Sequence, residues 1–137
     1  MRRILLAIGV LAVALTVGCS RQAPPHVGEW ETEIFAGPRS VIWGGNYVFL
    51  ENGSIQFVRI NIDKPKSVVT GKYKVDYSKD PIQIDIEWED GTLKHGIIRF
   101  IGETKGFMEM ELTTPENNGR PDHFGGAAML LTKKVKK

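Results

Sequence analysis

An all-β fold, a small antiparallel up-and-down barrel of about eight strands, is what this sequence predicts. Three observations carry that expectation. Apolar and polar residues alternate almost throughout, at the two-residue period of a strand with one buried face. Turn signals interrupt the alternation at short intervals, Asn52-Gly53 and Asp90-Gly91 being the strongest. Beyond the first eighteen residues no segment repeats at helical spacing. A β-sandwich fits the same pattern and is the alternative. Closure into a barrel is preferred because the strands carry few of the prolines that protect open edges.

The elements follow in order. In EWETEIF, Trp30, Thr32 and Ile34 share one face and Glu29, Glu31 and Glu33 the other. NYVFL runs into the ENGS turn. SIQFVRINI then places Ile55 and Phe57 on one parity but Val58, Ile60 and Ile62 on the other, which predicts a bulge or a strand covered on both faces. After DKPK, the run VTGKYKVDY alternates through Val69, Gly71, Tyr73, Val75 and Tyr77. SKDP interrupts it, and IQIDIEW sets Ile82, Ile84, Ile86 and Trp88 against Gln83, Asp85 and Glu87. EDGT leads into LKHGIIRFI, and GETKG joins that strand to FMEMELT. A long turn-rich loop, TPENNGRPDHFGG, precedes the last strand, AAMLLTKKV.

The N-terminus reads differently. Met1, Arg2 and Arg3 precede an apolar run from Ile4 to Val17, closed by Gly18 and Cys19. This is the pattern of a secretory signal, too short to span a bilayer, for which a helix needs roughly 20 residues. LTVGC resembles the lipobox of bacterial lipoproteins, with Thr16 standing where leucine is usual. The resemblance implies that Cys19, the one cysteine of the chain, receives fatty acyl chains such as palmitate on its sulfur and becomes the mature N-terminus. Ser20, rather than Asp, after the cysteine points to the outer membrane of the cell envelope in preference to the inner. Three segments are expected: a signal over 1–18, a lipidated tether over 19–27, and a barrel domain over 28–137. With Pro24 and Pro25 extended, residues 20–27 reach roughly 25 Å.

Charge narrows the partners. The chain carries 18 Lys+Arg and 16 Asp+Glu, and two of the arginines lie in the signal, so the mature chain is balanced. Lys133, Lys134, Lys136 and Lys137 make a basic tail, but no basic face of the kind nucleic acid requires is expected. The expected partners are a membrane, through the lipid anchor, and a small apolar ligand bound in the barrel, with the protein a monomer; a filled barrel serving as a non-catalytic envelope interaction or structural module is the alternative. With Cys19 spent as an anchor, no disulfide framework is available.

GEW at Gly28–Trp30 is similar to the Gly-x-Trp that opens lipocalin barrels, where the tryptophan plugs the closed end. GKYKVDYSKDPIQIDI, GIIRFIGE and GRPDHFG together resemble a lipocalin-like domain of uncharacterised bacterial proteins, at Lys79, Pro81, Ile84, Asp85, Gly96, Ile97, Gly119, Arg120, Pro121 and Phe124. Ile98 and Arg99 follow Ile97 where such domains carry a tyrosine. The resemblance covers about 28–133 and implies a β-barrel; it implies no reaction, since a fold does not fix a function.

Candidate sites are few. His26, His95 and His123 have no metal-ligand spacing, so neither a metal nor another cofactor is expected. Asp122 and His123 are neighbours that an extended segment points in opposite directions, and Cys19 on a tether has no preorganised base, so no enzyme is expected. Arg120 can hold a carboxylate bidentately, and Asp85 is its expected partner. The two would form either a clamp for the long loop or, through Arg120, an anion contact at a cavity mouth. The aromatic residues are mostly core by parity. Trp30, Tyr73, Val75, Ile84 and Ile86, with Arg120, form the expected ligand-binding set.

Overall fold

The structure, a computed structural model, describes residues 21–32, 35–36, 42–61, 64–116 and 119–137, with the side chains of 35–36, 42–43, 61 and 64 left aside. The expected signal over 1–18, Cys19, Ile34, Ile62 and the side chain of Trp43 lie outside the described residues.

Strands form where the alternation placed them: β1 (Gly28–Thr32), β2 (Phe35–Ala36), β3 (Ile42–Phe49), β4 (Ser54–Asn61), β5 (Lys64–Asp76), β6 (Ile82–Trp88), β7 (Leu93–Ile101), β8 (Phe107–Thr113) and β9 (Met129–Lys133). No helix occurs among the described residues. β1 pairs antiparallel with both β3 and β9, and from β2 onward each strand pairs antiparallel with the next. Eight strands therefore close into an up-and-down barrel, and the two-residue β2 pairs with β3 beside it. Closure removes the free edges of a meander, which decides for the barrel over the sandwich.

The inner wall is the parity set. Trp30, Tyr47, Phe49, Ile55, Tyr73, Ile84, Ile86, Ile98, Met108, Met110 and Leu131 form one buried cluster, with Phe57, Val75, Ile82, Trp88, Phe100, Leu112 and Met129 packed against it. Each large side chain fully buried there contributes about 1.5–3 kcal/mol. The parity change in the third predicted strand falls inside an unbroken register, Ser54↔Lys72 to Arg59↔Ser67, so Ile55 and Phe57 face the core and Val58 the outer wall; a bulge follows it, where the β4–β5 register shifts between Arg59 and Asn61. Gly71 sits where β5 passes from β4 alone to β4 and β6 together. A Cβ there would lie 2.5 Å from the Glu87 carbonyl, so the strands approach too closely for any side chain.

Both glycine turns form, by a different route from the two-residue type I′ turn. Leu50 N donates to Ser54 O at 2.9 Å and Gly53 N to Leu50 O at 3.2 Å; Trp88, Gly91 and Thr92 repeat the arrangement. Gly53 and Gly91 both have φ of 85°. Type I′ needs positive φ at both central residues, and Asn52 and Asp90 lack it. Instead each side chain accepts from the backbone two residues on, at Ser54 and Thr92.

The meander gives the barrel two ends. At one lie the turns 50–53, 77–81 and 102–106, the start of β1 and the end of β9. At the other lie the β6–β7 turn and both ends of the long loop that follows β8.

Candidate functional site

Three groups of side chains were candidates for chemistry: the inner wall, the Arg120 loop, and the segment before β1. The structure separates them.

Four of the five inner-wall residues expected to line a ligand cavity are buried against one another. Trp30 is 0 % exposed, Ile84 and Ile86 are 1 %, and Tyr73 is 9 %, while Val75 packs on the same cluster. A void wide enough for water would leave accessible surface on its lining, so the middle of the barrel is filled at these positions. The grooves formed by described residues open on the outside instead. One, of about 540 Å³, runs past Ser54, Gln56, Thr70, Lys72, Glu87 and Trp88. Another, of about 590 Å³, lies between Pro81, Ile82, Phe100, Arg99, His123 and Phe124.

Arg120 lies on the outer wall, where both of its terminal nitrogens bond to the barrel. Nη1 donates to the carbonyls of Ile84 and Gly96, at 2.9 and 2.8 Å, one on each of two adjacent strands. Nη2 meets Asp85 Oδ1 at 2.5 Å, which is the pairing parity suggested. His95 Nδ1 lies 2.6 Å from the same carboxylate oxygen. Partial burial pushes the Asp85 carboxyl up, but the hydrogen bonds from His95 and Arg120 outweigh it and hold the group below its ordinary value. Asp85 is thus ionised at neutral pH, and the His95 Nδ1–H donates to it.

Further contacts make this loop a strap. Thr113 Oγ1 donates to Gly119 O at 2.5 Å, and Gly125 N donates to the buried Glu111 Oε2 at 2.6 Å. The Arg99 guanidinium lies 4.6 Å from the centre of the Phe124 ring. Ile97 faces outward by parity and is still 1 % exposed, because the loop covers this wall. Asp122 and His123 bond to each other at 2.5 Å and are otherwise exposed, with no nucleophile beside them.

The third group lies where the sequence placed a tether. His26 is only 6 % exposed, with its ring set across one end of the barrel. Its Nδ1 is 2.6 Å from Tyr77 Oη and its Nε2 is 3.0 Å from Tyr73 Oη. Tyr73 Oη also lies 2.6 Å from the Leu50 carbonyl, which can only accept. The Tyr73 hydroxyl hydrogen therefore goes to Leu50, and His26 Nε2–H donates to Tyr73. In the neutral ring Nδ1 then accepts from Tyr77, which fixes the tautomer. Burial, with help from the Lys133 ammonium, pushes the His26 imidazole down to about 4, so it is neutral at pH 7. Burial also raises both tyrosines, keeping them hydroxyl donors.

The backbone of this segment is tied as well. Trp30 Nε1 donates to His26 O at 2.8 Å, and Lys133 Nζ donates to Pro25 O at 3.0 Å while standing 5.3 Å from the Trp30 ring centre. Val27 N closes a turn on Pro24 O. Residues 24–27 are consequently a plug belonging to the domain, and the boundary expected at residue 28 falls inside packed chain.

Sequence reasoning weighed His26 and His95 only as metal ligands and did not single out Glu111. A signal for His95 existed: counting outward from the Asp90-Gly91 turn, with Trp88 opposite Thr92, brings Asp85 opposite His95. No such count reaches His26, whose tyrosine partners lie 47 and 51 positions away. Among the described residues no group of His, Cys, Asp or Glu is arranged to hold a metal ion. No buried side-chain nitrogen or oxygen among them lacks a hydrogen-bond partner. Comparison with family models, curated proteins and solved structures gives no significant match to this chain.

Proposed function

We propose that the protein is a lipid-anchored envelope lipoprotein whose barrel is a non-catalytic structural or interaction module. The observation that carries this reading is the filled inner wall: the side chains a carrier would turn toward its ligand are turned toward one another. The polar clusters support it, since the bonds made by Arg120, Asp85 and His95, and by His26, hold loop or plug to barrel. The anchor rests on the resemblance of LTVGC to a lipobox, and the outer membrane on Ser20.

A second reading, of a barrel that binds a small apolar molecule, draws on a specific observation. Phe57, Trp88, Leu112 and Met129 face inward and are only partly buried. A ligand would have to lie against these residues and away from the plug.

Two measurements test the readings. Cys19→Ser should abolish incorporation of labelled palmitate and move the protein from the membrane to the soluble fraction; continued sedimentation with membranes would refute the anchor. Native mass spectrometry of the Cys19→Ser chain, purified from the producing cell, should show the bare polypeptide mass. A co-purifying apolar molecule, displaced by Trp88→Ala, would replace the module reading with the binding one.

A further inference from the structure

We infer that the plugged end of the barrel is a docking face for the lipid surface to which Cys19 tethers the chain, an inference that rests on the anchor reading above. Both described termini leave the barrel at this end. Residues 24–27 lie across it, and β9 runs toward it until Lys133 reaches the Pro25 carbonyl. From Cys19 to the first plug residue, Pro24, the chain takes five steps, at most about 18 Å when fully extended. A leash that short, fixed to the centre of one end, keeps that end toward the bilayer.

The rim there has the composition of a membrane interface. Leu50, Tyr77, Ile101, Phe107 and Val135 are large apolar side chains left exposed, and they come from three different turns and the tail. Ile101 and Phe107 are Cα partners across β7 and β8, so their side chains form one patch on the outer wall beside this end. Lys79, Lys105, Lys136, Lys137 and Arg21 are exposed around them. Aromatic and aliphatic side chains interleaved with lysines suit the headgroup boundary, where rings insert and ammonium groups stay among phosphates. Four carboxylates, Glu51, Asp76, Asp80 and Glu103, share the rim, so apolar insertion rather than net charge carries the contact and salt should affect it little. The opposite end is more acidic: its β6–β7 turn presents Glu87, Glu89 and Asp90 beside the exposed Leu93, and Val68 and Leu130 are exposed on the strands that lead to it.

The test uses the full lipidated chain in vesicles of phosphatidylethanolamine and phosphatidylglycerol whose acyl chains are brominated. Because Cys19 is acylated, Phe107→Cys and Leu93→Cys each add the one free thiol, at the plugged and the opposite end respectively, for an environment-sensitive fluorophore. Both native side chains are exposed, and circular dichroism checks that each variant keeps the fold. The label at position 107 should be quenched about threefold or more relative to that at 93, equally at low and high salt. Equal quenching at the two positions, or stronger quenching at 93, overturns the docking face. A chain that gains no acyl mass at Cys19 refutes the anchor itself and removes the inference with it, an outcome distinct from an acylated chain whose labels are both unquenched. If the soluble Cys19→Ser chain forms a dimer that Phe107→Ser dissolves, a second copy occupies the patch and the lipid assignment falls.

Discussion

The plug and the strap do the same task by opposite means. Each holds a segment outside the strand ladder against the barrel, and each is built around a histidine. At the plug the imidazole is buried and neutral, shared between two hydroxyls and beside an ammonium. At the strap the histidine is about one-third exposed and pairs with a carboxylate that also takes an arginine. Burial explains the choice. An ion pair at the barrel end would need to recover a desolvation cost of several kcal/mol, whereas on the half-wet wall that cost is small. The general lesson is that exposure, not the residue, decides whether a structural histidine is partnered by neutral hydroxyls or by a carboxylate.

The comparison can be broken most severely at the plug. His26→Ala removes a buried ring and both its hydrogen bonds and leaves the Tyr73 and Tyr77 hydroxyls without that partner; a loss of about 3–4 kcal/mol is expected by urea denaturation. The corresponding cut at the strap, Arg120→Ala, should cost about 1–2 kcal/mol and raise amide exchange over residues 119–125 while the strands stay protected. A strap variant as damaging as the plug variant would show that the loop is part of the main core.

Acid sharpens the same contrast. The unfolded His26 takes its proton near pH 6.5 and the folded one only at about 4, so between those values the unfolded chain binds more protons. The plug's contribution is complete above pH 6.5 and falls as pH drops toward 4, by at most about 3 kcal/mol. His26→Gln should flatten the stability profile across this window. The strap weakens later: Asp85 is held below its ordinary value of 3.8, so its stabilisation is present above that value and is lost only as pH falls further. Asp85→Asn should therefore leave the window from 6.5 to 4 unchanged, at a cost of about 1 kcal/mol at neutral pH.

The smallest effect is expected where charges pair in water. Lys134 bonds Glu29 at 3.1 Å and Glu31 at 3.3 Å on the open surface. Lys134→Ala should leave the denaturation midpoint unchanged within error, as exposed pairs generally do.

These differences follow what the sequence could and could not express. Strand positions were legible because Ile82, Ile84, Ile86 and Trp88 write their common face in alternating residues, whereas the bulge between Arg59 and Asn61 lies beyond the change of parity at Val58 and was not located by it. The Asp85–Arg120 contact was half legible. Parity turned Asp85 outward, but the carbonyls of Ile84 and Gly96 that take the other nitrogen are main-chain groups, and every residue has one. His26 was illegible because its burial is decided by β5, far along the chain, and not by its prolines. Whether the barrel is hollow was equally hidden, since a sum of side-chain volumes depends on strand tilt and curvature that no periodicity records.

Closure of the barrel has a consequence for how the chain reaches this state. The seam joins β1 to β9, with Trp30 opposite Lys133, so the first strand made is completed by the last. Until β9 arrives, β1 has an open edge and β8 another, and the plug lacks the ammonium that holds Pro25. Contacts so distant in sequence make folding slow and late, with the loop-closure entropy spent before the seam returns any stabilisation. A chain shortened before Met129 is therefore expected to remain a sticky, protease-sensitive meander rather than a smaller barrel, and the ring forms all at once or not at all.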